Sequence, residues 1–464
     1  MKLKLLFIFF ISLLIFSYKL EKIPDGLTID EASFGYNAVL LSKTYHDENN
    51  RFLPVFVLSI DKNDWRQPIT QYVVASYFKI FGPSIFNLRF TSVIVASISV
   101  VLIYLVSGIW GSLLLISTPI FFIHSHLGLD NIMPVPFIIL WIYWLYKYSK
   151  TNKIFWLSLA GAAIGIGFYS YKGIRIFIPV WFLTSFVFIY LLNKKMKPLV
   201  TYVLSFAPFM LIIPILEYFY AGAVLNNEKL KFEGIYTFIY RYFSAFDLSF
   251  LYIKGDEMLI HSTGMHGMFL LATLPVFLYG LVKLWKSDLF GKFIISSFLL
   301  GPFLFGFIGA VHRASRMISE VPFYVIICSY GMVLLSKRYK YIYILASILI
   351  FINFIDFAKY YHFIYPEKNS NLFYSLSAGV EYKYLKEISD SKNLKPYIDR
   401  KYVYTKFSTS DFVRSIYFIK LPDIFDRDLS KLPKGSVLMT DDANLKSLEK
   451  SEIVYKNFIY YIKN

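Results

Sequence analysis

The chain has 464 residues, 56% of them hydrophobic and 20% aromatic, against about 45–50% apolar in a soluble domain, so it cannot be a wholly water-soluble globule. A formal net charge of +17 would point to nucleic acid in a soluble protein. Here Lys and Arg cluster between apolar runs, the pattern that orients membrane proteins, which argues against nucleic-acid binding. The single cysteine, Cys328, lies inside an apolar run and leaves no intramolecular disulfide and no thiolate metal site.

Apolar runs long enough for a bilayer recur near 3–19, 87–107, 111–124, 132–148, 154–170, 174–192, 198–219, 266–284, 293–310, 317–335 and 341–357. They predict an all-α polytopic membrane protein with about eleven transmembrane helices over residues 1–357. The first run follows Lys2 and Lys4, as a signal peptide would. Ser17-Tyr-Lys-Leu-Glu21 has no small-residue cleavage site, so it is read as a retained helix. With the N-terminus cytoplasmic, loops 147–153, 193–197, 283–292 and 336–340 face inward, and each is rich in Lys or Arg. The segments 20–86, 124–131, 171–175, 220–265, 311–316 and the tail then face outward. Loops 20–86 and 220–265 are long, and long ordered loops carry function. The tail, 358–464, reads as a small extracytoplasmic α+β domain. It has a helical pattern at 380–388, strand-like stretches at 401–407, 435–440 and 452–462, and turns at Leu421-Pro-Asp and Leu432-Pro-Lys-Gly.

In the first outer loop, Thr28 followed by Glu31 reads as a capping box opening a helix. Phe34, Ala38, Leu41 and Tyr45 then share one helical face. Asp30 falls in the first turn, where the helix dipole favours a carboxylate suited to accept a proton from a hydroxyl or amine. Glu31 is read equally as a cap and as a catalytic partner.

The Asp30-Glu31 pair and Trp65-Arg-Gln-Pro-Ile-Thr-Gln-Tyr72 resemble glycosyltransferase family 39, which includes protein O-mannosyltransferases and aminoarabinose transferases. So do Lys79-Ile-Phe-Gly82, Asn87-Leu-Arg89, Phe250-Leu-Tyr-Ile-Lys-Gly-Asp256 and His312-Arg-Ala-Ser-Arg316. The closest likeness is to bacterial members with an Rgt-like domain, over essentially all of 1–380. One departure is Arg66-Gln67-Pro68, where the family commonly has Lys-Pro-Pro. The resemblance implies the C-type glycosyltransferase fold in the cytoplasmic (inner) membrane. It also implies inverting transfer of a sugar from a polyprenyl-phosphate donor to an acceptor on the outer face. Asp30 would be the base, and Asp130 a sugar or acceptor contact; its plain reading is a residue ending an interfacial turn.

Basic residues on the outer side stand against the positive-inside rule. Arg66, Lys172, Arg175, Arg313 and Arg316 are candidates for the donor phosphate, through charge-assisted and bidentate hydrogen bonds; snorkelling to anionic headgroups is the alternative. Asp256 and His261 are further candidate sugar or acceptor contacts. With His266, the Gly255-Asp256-Glu257 stretch fits a turn better than a metal-ligand motif, and no metal or cofactor is expected. The partners expected are the polyprenyl-phosphate sugar, the lipid bilayer and an acceptor that the sequence does not specify. A transporter or flippase for a lipid-linked glycan is the alternative, but it calls for repeated halves and ionisable residues within spans. Neither is clear: Glu217, Glu320 and Asp356 stand near span ends. A non-catalytic scaffold would explain the tail but not the outer loops.

Overall fold

The computed structural model describes residues 2–463 except 25, 60, 61, 63, 226–229, 310, 369–379, 400–411, 413–414, 417–422, 426–431, 441–450 and 455–457. The first elements in chain order are α1 (Lys2–Ser17), α2 (Ile29–Thr44), β1 (Val57–Ser59), β2 (Asp64–Arg66), α3 (Pro68–Phe81), α4 (Ile85–Ser117), α5 (Pro119–Ser125), α6 (Val135–Thr151), α7 (Phe155–Gly167) and α8 (Ile178–Asn193). There follow α9 (Met196–Leu211), α10 (Ile213–Phe219), α11 (Ile235–Ser244), α12 (Leu274–Trp285), α13 (Leu289–Leu300), α14 (Phe305–Ile308), α15 (Ala314–Met317), α16 (Val321–Arg338), α17 (Lys340–Lys359) and α18 (Tyr365–Lys368). The tail holds α19 (Val380–Lys392), β3 (Lys395–Asp399), β4 (Asp423–Phe425), β5 (Ser436–Thr440), β6 (Ser451–Val454) and β7 (Phe458–Lys463). The chain forms two compact units: residues 1–20, 65–70 and 89–369, and residues 21–64, 71–88 and 370–464.

The first unit is helical, and each apolar run of the sequence falls on helix within it. Five segments are long and apolar enough to cross a membrane: Ile85–Ser117, Met196–Phe219, Leu289–Ile308, Ala314–Arg338 and Lys340–Lys368. The runs 87–107 and 111–124 fall on separate helical stretches, as their spacing predicts. Within α4 the helix breaks at Gly108 (φ 67°, ψ −159°) and a second helix follows it, in a conformation that glycine adopts at little cost. The Ser112 hydroxyl donates to the Val100 carbonyl at 2.9 Å, twelve residues earlier, so the chain folds back at the break and the second helix packs on the first. The helix stops before Pro119, which occupies the first turn of α5, where its missing N–H is tolerated. The run 266–284 enters regular helix only at Leu271. Tight packing is set by small residues. Gly280 of α12 lies against Ile327 and Gly331 of α16, where a Cβ on Gly280 would come within 2.2 Å of the Ile327 carbonyl oxygen.

The second unit is the α+β part. Its sheet has the order β4-β3-β5-β7-β6, with β3 parallel to β4 and β5, and β7 antiparallel to β5 and β6. The stretch 452–462 is therefore two strands rather than one; 401–407 lies outside the described residues. The core of this unit joins distant sequence: Phe34, Ala38 and Leu41 of α2 and Phe78 of α3 cluster with Leu385 of α19, Ile398 and Val437. Gly35 makes room for Phe412, whose ring atoms would lie 2.5 Å from a Cβ there. The helical face read from sequence is thus the buried one, except at its end: Tyr45 is the left-handed C-cap (φ 60°) and is exposed.

Candidate active site

The start of α2 is built as its sequence dictates. The Thr28 hydroxyl accepts from the Glu31 amide at 3.0 Å, and the Glu31 carboxylate accepts from the Thr28 amide at 3.1 Å, so the capping box closes both ways. Glu31 is fully buried by this role. Asp30, one residue earlier, is exposed in the same first turn, where the free backbone amides favour a negative charge.

In the first unit, three connecting segments meet around one phenol. Tyr171 precedes the 3-10 turn Lys172–Ile176, and its ring lies across Gly173, where a Cβ would come within 2.2 Å of it. Its hydroxyl is within hydrogen-bonding reach of Ser315 of α15 and Asn131 of the turn Asp130–Ile132, with the Asp130 and Arg316 charges beside it. Burial first, and then the Asp130 charge, push the phenol up from its ordinary value, while Arg316 pulls it back; it stays protonated at neutral pH. The sequence-predicted Asp130, Lys172, Arg175 and Arg316 are thereby carried on adjoining segments. Tyr171, Asn131 and Ser315 were passed over, because an isolated Tyr near a span end reads as part of an interfacial aromatic belt.

Arg175 is a cation with its donors engaged. Nε donates to the Phe168 carbonyl at 3.2 Å, and Nη1 donates to the Ala223 and Val224 carbonyls at 3.0 and 2.7 Å. Nη2 donates to the Gln67 side chain. Burial pushes it down to about 10, with Tyr169, Asp130 and Glu217 holding it up, so it remains charged. The Glu217 carboxylate accepts from the amides of Gly222, Val224 and Leu225 at 2.8, 2.7 and 2.6 Å. Arg175 and Glu217 thus fasten the start of the long loop 220–265. Arg66 ends β2 and is 4% exposed. The residues after it are pinned to the Tyr171 segment by the Gln67–Arg175 bond and by the Thr70 hydroxyl on the Ser170 carbonyl at 3.0 Å.

Asp256 is a staple. Its two oxygens accept from the Met258 amide at 2.8 Å and the Ala314 amide at 2.7 Å. The second bond ties the long loop to the first residue of α15, and so fixes the helix turn that carries Arg316. Arg313 is exposed, with Nη1 2.8 Å from the Met258 sulfur. His261 stacks on the buried His124, centroids 5.0 Å apart and planes at 20°.

A model of the dolichyl-phosphate-mannose-protein mannosyltransferase family matches residues 66–216. Among solved structures, ArnT from Cupriavidus metallidurans bound to undecaprenyl phosphate is similar with a TM-score of 0.54 at 9% identity, over 98% of this chain and 97% of that chain. ArnT from Cupriavidus metallidurans in the apo state is similar with a TM-score of 0.56 at 10% identity, over the same 98% and 97%. No curated protein matches the chain by sequence. At that identity the solved structures speak to the fold, and the family match speaks to residues 66–216. Together they show a polytopic membrane protein of the C-type glycosyltransferase fold, with a segment, 66–216, similar to the dolichyl-phosphate-mannose-protein mannosyltransferase family.

Proposed function

We propose that the chain is an inverting transferase that moves a sugar from a polyprenyl-phosphate carrier to an acceptor on the outer face of the cytoplasmic membrane. The observation that carries this reading is the Arg316 charge beside the Tyr171 phenol, on a segment that continues into Lys172, the cationic setting a lipid phosphate needs. The ArnT structure of the same fold, bound to undecaprenyl phosphate, supports a carrier of that class.

Asp30 takes the proton of the acceptor hydroxyl or amine. The acceptor forms its bond to the anomeric carbon from the side opposite the carrier, and the bond from that carbon to the phosphate oxygen breaks. The electron pair stays on the phosphate, where Arg66, Lys172 and Arg316 stabilise the growing charge. Arg175, its donors engaged by carbonyls and Gln67, holds the loop that frames them. Asp256 acts through α15 in the same way.

The test is transfer in proteoliposomes from synthetic polyprenyl-phosphate sugars, with the product's anomeric configuration assigned by NMR. Inversion is expected, with Lys172→Gln and Arg316→Gln each lowering kcat/KM by about 10²–10³-fold. Retention of configuration, or wild-type rates in both variants, would refute the reading. Tyr171→Phe keeps the ring over Gly173 and removes only the hydroxyl. It is expected to lower kcat by about tenfold, as the loss of one hydrogen bond beside a charge would, with an unchanged thermal midpoint. A wild-type kcat would show that the hydroxyl has no part in positioning Arg316.

A further inference from the structure

The loop 220–265, read from the sequence as a long outer loop, carries α11, a helix with two unlike faces. Ile235, Tyr236, Ile239, Tyr240 and Phe243 are 65, 81, 46, 54 and 60% exposed. Their spacing along the helix sets all five on one side. The opposite side is packed on protein. Phe238 covers Gly306, where a Cβ would come within 2.2 Å of its ring, and its ring lies 5.2 Å from Phe303 and 5.0 Å from Phe307. The Tyr242 hydroxyl donates to the Leu299 carbonyl at 2.8 Å. The helix's one charge, Arg241, is drawn into an ion pair with Glu233 at 2.6 Å.

Three observations identify what covers the exposed face. First, α11 rests on the end of the membrane-crossing segment Leu289–Ile308, whose Leu299, Leu300 and Phe303 are themselves exposed; the apolar surface of that span therefore continues onto α11. Second, its ten residues measure about 15 Å, half of the roughly 30 Å of a bilayer's hydrocarbon, so the helix cannot cross. Third, two of the five side chains are tyrosines, which combine an apolar ring with a hydroxyl that stays among headgroups.

We propose that α11 lies in the plane of the membrane surface, with its Ile235-Tyr236-Ile239-Tyr240-Phe243 face sunk among lipid at the headgroup–acyl boundary. The loop is then held at lipid depth at its middle. Further along, Asp256 ties the same loop to the helix turn bearing Arg316. This inference requires only that the chain crosses a membrane, and it stands apart from the transfer chemistry.

Site-directed spin labelling in proteoliposomes tests it. Cys328 is buried, so the unsubstituted chain is expected to take no label and serves as the blank. Nitroxides are placed through Tyr236→Cys, Ile239→Cys, Tyr240→Cys and Phe243→Cys, with Glu257→Cys as an exposed reference in the same loop. On the α11 face, relaxation by a nickel chelate is expected to be lost relative to position 257, while relaxation by oxygen is kept. Nickel relaxation equal to that at 257 would put the face in water and overturn the proposal. Exclusion of both reagents with an immobilised label would put it under protein, a second copy included, and would overturn it equally. Four positions are read, so one variant that fails to fold leaves the other three to decide.

Discussion

Asp30→Asn is expected to leave the chain folded and to reduce sugar transfer by about 10²–10⁴-fold, the contribution of a positioned general base. The side chain keeps its size and loses the capacity to hold a proton. The residue is exposed, and Thr28 and Glu31 secure the helix start. Removing its favourable interaction with the helix dipole costs about 0.3–1 kcal/mol, too little to unfold a unit whose core runs from α2 to the strands of the tail. Glu31→Gln is the informative companion: glutamine at this position still accepts from the Thr28 amide, so most of the rate is expected to survive. Initial rates in proteoliposomes, set beside thermal midpoints, separate the two. An Asp30→Asn protein that transfers at the wild-type rate removes Asp30 as the base.

Gly280→Ala is expected to have the largest structural effect. A Cβ at that position would stand 2.2 Å from the Ile327 carbonyl oxygen, 3.1 Å from its carbon and 3.2 Å from the Gly331 nitrogen. All three are backbone atoms, so no side-chain rotation relieves the contact; α12 and α16 must move apart. Overpacking of this kind costs about 1–3 kcal/mol, and sometimes more. In a membrane it strikes the close backbone approach on which helix association depends. Gly331→Ala meets the Val276 carbonyl oxygen at 2.6 Å from the other side and is expected to be destabilising for the same reason. Thermal unfolding in detergent, followed by the monodisperse fraction on size exclusion, reads both. Midpoints equal to that of the native chain would show that the two helices have room to spare.

Hydropathy located the helices, because burial in lipid needs only a run of apolar residues and no partner from elsewhere in the chain. The start of α2 was legible for a related reason: a capping box closes within four residues, so Thr28 and Glu31 suffice to specify it. The boundary between 87–107 and 111–124 was legible, but the fold-back there was not, since a glycine in an apolar run tells nothing of its dihedral angles; Gly108 breaks the helix. The candidate site divides the same way. Charge in the connecting segments singled out Lys172, Arg175 and Arg316. Charge alone does not distinguish an arginine engaged by carbonyls, as Arg175 is, from one that borders a phenol, as Arg316 does.

The sequence by itself determined which segments are apolar enough for a membrane, where α2 begins and which connecting residues carry charge, because each follows from composition or from neighbours a turn away. Only the tertiary structure decided that Tyr171 brings Asn131 and Ser315 together, that Asp256 holds α15, that α2 shares a core with the tail, and that Gly280 faces Gly331. These are pairings between distant segments. They are selected by the fit of whole surfaces, to which any one residue contributes only its shape.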